Sequence, residues 1–356
     1  MGSELLDLVA EHGAEQVAFA ADDETGLRAI VAIHSTVLGP GMGGTRFYPF
    51  ASERDALVDV LRLAKGMAYK HAACGNDLGG GKAVIIGDPR TMRTDDLMRA
   101  YARFVDRLGG RYLTAEDVGT TQADMDVIRT ITPHVTGISE SLGGSGDPSP
   151  ATAWGVFNAL RAVAEQLWGD ASLDGRHVAI AGTGKVGSDL ARRLAAAGCR
   201  LTLADVREDV VVPLAKELGA ELAAPDHIHA VACDVLSPCA LGASLNERTI
   251  PELKCAAVCG CANNQLATDE DGDRLADAGV LYAPDYVANA GGVINIADEL
   301  RPSGYDRERA YASVATIHDT VRRVFQRAAA DSITPARAAD RLAEERLGVR
   351  RGSQPS

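Results

Sequence analysis

The segment Leu78-Gly79-Gly80-Gly81-Lys82 places a lysine directly after three glycines. Glycine lets a backbone adopt conformations closed to other residues, or approach a ligand closely. A lysine carried this way is positioned rather than merely solvated. With Lys70, about three helical turns upstream, and Asp117 beyond, it suggests two ammonium groups and one carboxylate converging on a small anionic substrate. A lysine in water titrates near ~10.4, but desolvation or a second cation lowers this and makes a neutral amine available as a general base. Two lysines in one site supply that depression, one binding a carboxylate while the other moves protons. Without further context, Lys70 and Lys82 are equally well read as surface charges flanking a helix and a strand. A nucleoside-triphosphate loop is excluded: Ala83 stands where Ser or Thr is required, and the spacing from Gly75 is wrong.

Several elements must hold these groups. Residues 16–37 read as strands joined by a turn at Asp23-Glu24-Thr25-Gly26. Residues 52–72 read as a helix capped by Ser52, with Ala56, Val60, Leu63, Ala64, Met67 and Ala68 on its apolar face. KAVIIG (82–87) is a short buried strand, 95–108 is helical, and 112–114 is extended. Thr121 and Asp124 suit a capping box in which Asp replaces the usual Glu. The stretch 138–149, rich in Gly, Ser and Pro, reads as a hinge. Beyond it, Ser149 and Pro150 read as N-cap and first residue of a helix running to about Trp168. Short apolar runs then alternate with helical ones (HVAIAG, SDLARRLAAAG, RLTLAD, VVPLAKELGA, CDVLSP, AAVCGC, VLYAP), which implies a parallel sheet. From Tyr305 two helical segments follow, the second opening at Thr334-Pro335, and RRGSQPS reads as a frayed end.

Gly182-Thr183-Gly184-Lys185-Val186-Gly187 fits G-x-G-x-x-G, between an apolar strand and an amphipathic helix. The next strand ends at Asp205, about twenty residues on. In this arrangement a pyrophosphate rests on a helix N-terminus and an acidic side chain bonds the ribose hydroxyls. The expected architecture is therefore α/β, with a Rossmann-type doubly wound dinucleotide-binding domain over 148–329. An N-terminal α/β substrate-binding and catalytic domain covers 1–147, joined by C-terminal helical residues 330–350, with a cleft between the two. A carboxylate at Asp205 welcomes a ribose 2′-hydroxyl and repels a 2′-phosphate, favouring NAD, although Arg207 nearby leaves NADP open.

The net charge of −13 argues against a nucleic-acid or anionic-membrane partner, since both need basic surface. No apolar run approaches the ~18 residues that span a bilayer, and the acidic N-terminus has no targeting signal, so a cytoplasmic location is expected. Seven cysteines, an odd number in a long chain, fit reduced thiols. Cys255, Cys259 and Cys261 lie in an apolar, strand-like run without histidine, and no metal is expected there.

The segments GPGMGGTRFYPF, GMAYKHAACGNDLGGGKAVIIGDP, TAEDVGTTQADMD, GGSGDPSPATAWGV, GTGKVG, PCALGASLN, GCANNQL and YAPDYVANAGGVINIADE resemble, in order and spacing, the leucine, valine and phenylalanine dehydrogenases, relatives of glutamate dehydrogenase. The resemblance covers nearly the whole chain. It implies Lys82 as catalytic base, Lys70 as partner of the substrate α-carboxylate, and Asp117 as the group assisting proton transfer at the substrate nitrogen. Gly43 and Gly44, in a GMGG loop, would let backbone approach the substrate, and Asn264 would help hold it beside the nicotinamide. Thr152, Asn263 and Asn289 are candidate cofactor contacts that helix capping or turn formation could equally explain. The implied reaction is oxidative deamination of an amino acid to a 2-oxo acid and ammonia: hydride leaves Cα, Lys82 activates water against the resulting iminium, and a carbinolamine collapses. Closure about 138–149 would exclude water until hydride has moved. A homo-oligomer, with the N-terminal strands as a plausible interface, is also implied.

The resemblance further assigns the specificity pocket to Met42, Ala115, Val293 and Ile296, all uncharged. A second carboxylate buried against them would cost several kcal/mol, which disfavours glutamate. Branched-chain aliphatic substrates fit best, with phenylalanine as the alternative. One methylene is worth only ~1–3 kcal/mol, so leucine, valine and isoleucine are not ranked. A silent NAD- or amino-acid-binding sensor on the same scaffold would not need the Lys82–Asp117 pair. A 2-hydroxy-acid dehydrogenase would need a histidine as acid and base, and the nearest, His71, reads as a helix-packing residue.

Overall fold

The computed structural model describes residues 5–240 and 242–348. The chain forms two compact units. One comprises the described residues up to Asp147, Ile296–Arg307 and those from Ala343; the other comprises Pro148–Asn295 and Glu308–Leu342. Of the segment 330–350 expected with the first unit, residues up to Leu342 instead belong to the second, and Ile296–Arg307 joins the first. Helical pattern alone does not reveal to which core a helix gives its apolar face. The tail RRGSQPS lies outside the described residues.

In the first unit, β1 (Gln16–Asp22), β2 (Leu27–Ser35), β3 (Gly41–Tyr48), β4 (Gly79–Ile86) and β5 (Tyr112–Glu116) form a sheet in the order β1-β2-β4-β3-β5. β1, β2 and β4 run antiparallel, while β3 is parallel to both β4 and β5. The β1–β2 turn falls where expected, with Asp22 Oδ1 accepting from the backbone of Glu24 and Thr25. Two glycine-rich segments, one of them read from the sequence as a loop, lie in strands. GMGG belongs to β3, and β4 begins at Gly79 rather than at Lys82. Glycine has low strand propensity and offers no apolar alternation, so neither strand has a period-two signature.

These glycines are needed for close approach rather than for a turn. A Cβ on Gly80 would lie 2.4 Å from Ala68 Cβ and 2.5 Å from the Ala64 carbonyl oxygen. Both alanines belong to the helix Glu53–Cys74, which packs directly on β4. Ser52 caps this helix through Asp55 N, and Gly75, at φ 85°, closes it. Its buried face carries Ala56, Leu57, Val60, Leu61, Ala64 and Ala68; Leu63 and Met67, expected there, are only half-buried. The Thr121–Asp124 capping box is formed and opens the helix Gln122–Arg129.

In the second unit, β6 (His177–Ala181), β7 (Arg200–Ala204), β8 (Glu221–Leu222), β9 (Val235–Pro238), β10 (Ala257–Val258) and β11 (Leu281–Tyr282) form a parallel sheet in the order β11-β10-β9-β6-β7-β8. The order reverses between β6 and β9. This is the doubly wound arrangement in which ligands bind outside the carboxyl ends of the strands at the reversal. The helix Ser149–Trp168 starts one residue before the expected position, with Pro148 at its N-cap. The first of the two C-terminal helical segments is broken at Thr316 into Arg307–Ala315 and Ile317–Asp331; Pro335–Leu347 follows. Among the described residues no helix is long and apolar enough to cross a membrane.

Candidate active site

Lys82 projects from β4 with its side chain 8% exposed, and its Nζ lies 3.0 Å from Asp117 Oδ2. Asp117 immediately follows β5, so the pair reaches across β3, which lies between β4 and β5. The glycines of β3 make this possible. A Cβ on Gly44 would sit 2.8 Å from Asp117 Cβ, and one on Gly43 would sit 1.9 Å from the Gly81 carbonyl oxygen. The structure thus gives Gly43 and Gly44 a first task inside the sheet: they clear the floor over which a lysine and an aspartate meet.

Asp117 has a second cation. Arg46 Nε lies 3.2 Å from the same Oδ2, and Arg46 Nη1 lies 2.7 Å from Asp59 Oδ2 on the helix Glu53–Cys74. Burial alone would raise the Asp117 carboxyl, but the charges of Lys82 and Arg46 outweigh it and hold the group below the usual range. The Thr120 hydroxyl fixes the backbone, accepting from Asp117 N at 2.9 Å and donating to the Thr45 carbonyl at 2.9 Å. Arg46 was not singled out in the sequence. Its signal becomes visible only when GMGGTRFY is read as a strand, because Gly44 and Arg46 then share a face.

Lys70 is half-buried near the end of the helix whose Ala68 packs on Gly80, two residues before Lys82 in β4. Met42, Ala115 and Ile296 belong to one apolar cluster together with Leu78 and Leu113, and Ala297 packs beside it. Val293, expected with them, is assigned to the second unit and is not a member of that cluster. Leu78 and Leu113 were missed, although Leu113 stands two residues before Ala115 on β5 and so shares its face.

In the second unit the G-x-G-x-x-G segment follows β6. Gly182 has φ 105°, and a Cβ there would lie 2.7 Å from Ala240 Cβ. Gly184 N-caps the helix Lys185–Ala196 without a side-chain cap, leaving first-turn N–H groups open to an anion. A Cβ on Gly187 would be 2.1 Å from the Gly182 carbonyl oxygen, so strand and helix pack backbone to backbone. Thr183 is buried, Lys185 exposed and Val186 half-buried. Asp205 follows β7; its Oδ2 accepts from Thr183 N at 2.6 Å and Thr183 Oγ1 at 3.1 Å, and its Oδ1 from Arg207 N at 2.9 Å. Burial would raise this carboxyl, but these donors and the Arg207 charge hold it low. A carboxylate has about four acceptor positions, so one remains for a hydroxyl donor.

Asn289 Nδ2 donates to Asn263 Oδ1 at 2.7 Å and to the Cys261 carbonyl at 3.1 Å, while its buried Oδ1 has no partner among the described residues. Asn264 adopts the left-handed conformation at φ 51°, and its carbonyl accepts from Ala243 N. Thr152 Oγ1 donates to the Pro148 carbonyl at 3.0 Å, a bond one turn back along the helix rather than a cap. The uncapped helix start, the glycine crest without room for a Cβ, Asp205 and the open Asn289 acceptor together fit a dinucleotide. Among the described residues no group of three His, Cys, Asp or Glu side chains is placed to hold a metal.

The comparisons with known proteins agree with this geometry. Residues 14–134 match the model of the Glu/Leu/Phe/Val dehydrogenase dimerisation domain, and residues 143–213 and 202–348 match that of Glutamate/Leucine/Phenylalanine/Valine dehydrogenase. Leucine dehydrogenase of Geobacillus stearothermophilus is 50% identical over 98% of this chain and 94% of its own length. Valine dehydrogenase of Streptomyces albus is 51% identical over 95% of this chain and 93% of its own. The crystal structure of L-tryptophan dehydrogenase from Nostoc punctiforme superposes with a TM-score of 0.85 at 42% identity, covering 97% of this chain and 99% of that one. A glycine-floored Lys–Asp pair, a dinucleotide-binding unit and these full-length matches lead to one conclusion: the chain belongs to the Glu/Leu/Phe/Val dehydrogenase family.

Proposed function

We infer that the protein catalyses the reversible, NAD-dependent oxidative deamination of a branched-chain L-amino acid to its 2-oxo acid and ammonia. The observation that carries the reading is the pairing of buried Lys82 with half-buried Asp117, in the same unit as the apolar cluster of Met42, Ala115 and Ile296. Identities of about half to leucine and valine dehydrogenases over nearly the full chain support the substrate class. NAD, when bound, supplies the hydride acceptor. Gly182, Gly184, Gly187 and the start of the helix Lys185–Ala196 would receive its pyrophosphate, and Asp205 its ribose. Asn263, Asn289 and Thr152 are further candidate contacts.

The protein's own residues then have defined tasks. Lys70 binds the α-carboxylate, and Asn264 helps hold the substrate. Met42, Ala115 and Ile296 exclude a charged side chain, because burying a second carboxylate among them would cost several kcal/mol. Asp117 moves a proton to and from the substrate nitrogen. Lys82 takes a proton from the water that adds to the substrate carbon, and returns it as ammonia departs. On this reading the first unit is the substrate-binding and catalytic domain and the second binds NAD. The protein is a cytoplasmic homo-oligomer that uses its N-terminal domain for assembly, a reading supported by the match of residues 14–134 to a dimerisation-domain model.

The test follows NADH formation with Leu, Val, Ile, Phe and Glu, each with NAD and with NADP. Branched-chain substrates with NAD are expected to dominate. Lys82→Ala is expected to lower turnover by about 10²–10⁴-fold while amino-acid and NAD binding persist. A Lys82→Ala enzyme that turns over like the parent would overturn Lys82 as base, and preference for Glu or Phe would overturn the pocket assignment.

A further inference from the structure

Arg46 sits where the proton-transfer pair could be controlled without contact with substrate. It lies on β3 two residues past Gly44, and its guanidinium spans two carboxylates. Nε lies 3.2 Å from Asp117 Oδ2, the same oxygen that Lys82 Nζ approaches at 3.0 Å. Nη1 lies 2.7 Å from Asp59 Oδ2, and Asp59 Oδ1 also accepts from Arg62 Nη2 at 3.1 Å. The Arg46 and Asp59 side chains are 23% and 16% exposed, so both contacts are largely shielded from water.

We propose that Arg46, anchored by Asp59, is a positioning residue that fixes the rotation of the Asp117 carboxylate so that it faces Lys82. The inference rests on reading Lys82 and Asp117 as the proton-transfer pair. Thr120 already holds the Asp117 backbone, which leaves the side-chain torsions as the remaining freedom. A planar guanidinium with several fixed donors removes that freedom, whereas an ammonium is a point charge that tolerates many orientations. Asp59 in turn prevents the guanidinium from following Asp117, because it ties the far end of the fork to a helix capped by Ser52. A purely structural ion pair joining helix to sheet would have no need to share the one oxygen that Lys82 also uses.

The experiment compares steady-state kinetics of Arg46→Gln, Arg46→Lys and Asp59→Asn with Asp117→Asn and Lys82→Ala, in H2O and D2O. Misplacing a reacting group by about 1 Å costs up to about 10²-fold. Arg46→Gln is therefore expected to lower kcat by about 10–100-fold, with the Michaelis constants for amino acid and NAD essentially unchanged. Its solvent isotope effect on kcat should rise, because proton transfer becomes limiting. That ratio does not depend on how much of the sample is folded. Arg46→Lys should recover part of kcat, restoring charge but not the fork. Asp59→Asn should show a smaller loss in the same direction. Parental kcat and solvent isotope effect in a folded Arg46→Gln enzyme would overturn the proposal, as would a kcat loss with an unchanged isotope effect. If Arg46→Gln does not fold, Asp59→Asn decides by the same two readouts. An Asp117→Asn enzyme with parental kcat would sink the underlying Lys82–Asp117 reading itself; an inactive Asp117→Asn beside a normal Arg46→Gln would sink only the role of Arg46.

Discussion

Two carboxylates of the first unit are shifted in opposite directions, because their partners differ. Asp117 meets Lys82 and Arg46 and is held low, whereas Glu299 meets neutral donors, among them Gly137 N, Ser145 N and Ser145 Oγ. For Glu299, burial outweighs these hydrogen bonds and raises the carboxyl above its usual range. The folded protein therefore holds this proton more tightly than the unfolded chain. The resulting stability is fully present below the unfolded value of about 4.3 and is lost as pH rises through the higher folded value. A Glu299→Gln variant cannot titrate, and its new amide faces the Gly137 donor, so it should be less stable by about 1–3 kcal/mol. That deficit should be largest near pH 4.5 and should shrink toward pH 8. Urea unfolding of parent and variant at several pH values measures it; a deficit that grows with pH would show that Glu299 is buried as the anion.

At the scale of elements, the site depends on strands that lack side chains. Helix Glu53–Cys74 can rest on β4 only because Gly80 presents no Cβ to Ala64 and Ala68. Gly80→Ala should cost about 1–3 kcal/mol or more through overpacking, read as a lower thermal midpoint. Adding Ala68→Gly should rescue little, since two of the three nearest atoms, Ala68 N and the Ala64 carbonyl oxygen, belong to the backbone. Full rescue by the double variant would mean that only the methyl contact matters. The same glycines explain which parts of the fold were legible in the sequence. The Ser52 cap, the Thr121–Asp124 box and the order strand, glycine crest, helix, strand, Asp205 could be read because each is a local pattern with a local cause. β3 could not, because a run of glycines carries no alternation, and with it went Arg46, whose partner Asp117 is 71 residues away.

The molecule carries a net charge of −13, so its cations matter where they are concentrated, and in the first unit several of them gather around one helix. Arg46 and Arg62 engage Asp59 in its second turn, Lys70 stands near its end, and Arg346 closes that end from far along the chain. Arg346 Nη1 donates to the carbonyls of His71, Ala72 and Asn76, and Nη2 to the Gly75 carbonyl and Asp77 Oδ1. The last carbonyls of a helix have no partner within it and favour a cation, so one guanidinium satisfies several groups at once. This contact also explains why the chain returns to the first unit at Ala343, with Ala343 and Leu347 buried beside it. Arg346→Ala should destabilise the first unit by about 1–3 kcal/mol and raise amide hydrogen exchange selectively at residues 71–77. Because Lys70 lies four residues before the helix's last residue, Cys74, the Michaelis constant for the amino acid should rise more than kcat falls. Unchanged exchange at residues 71–77 would mean that the helix end holds without its distant cap, and that the return of the chain serves packing alone.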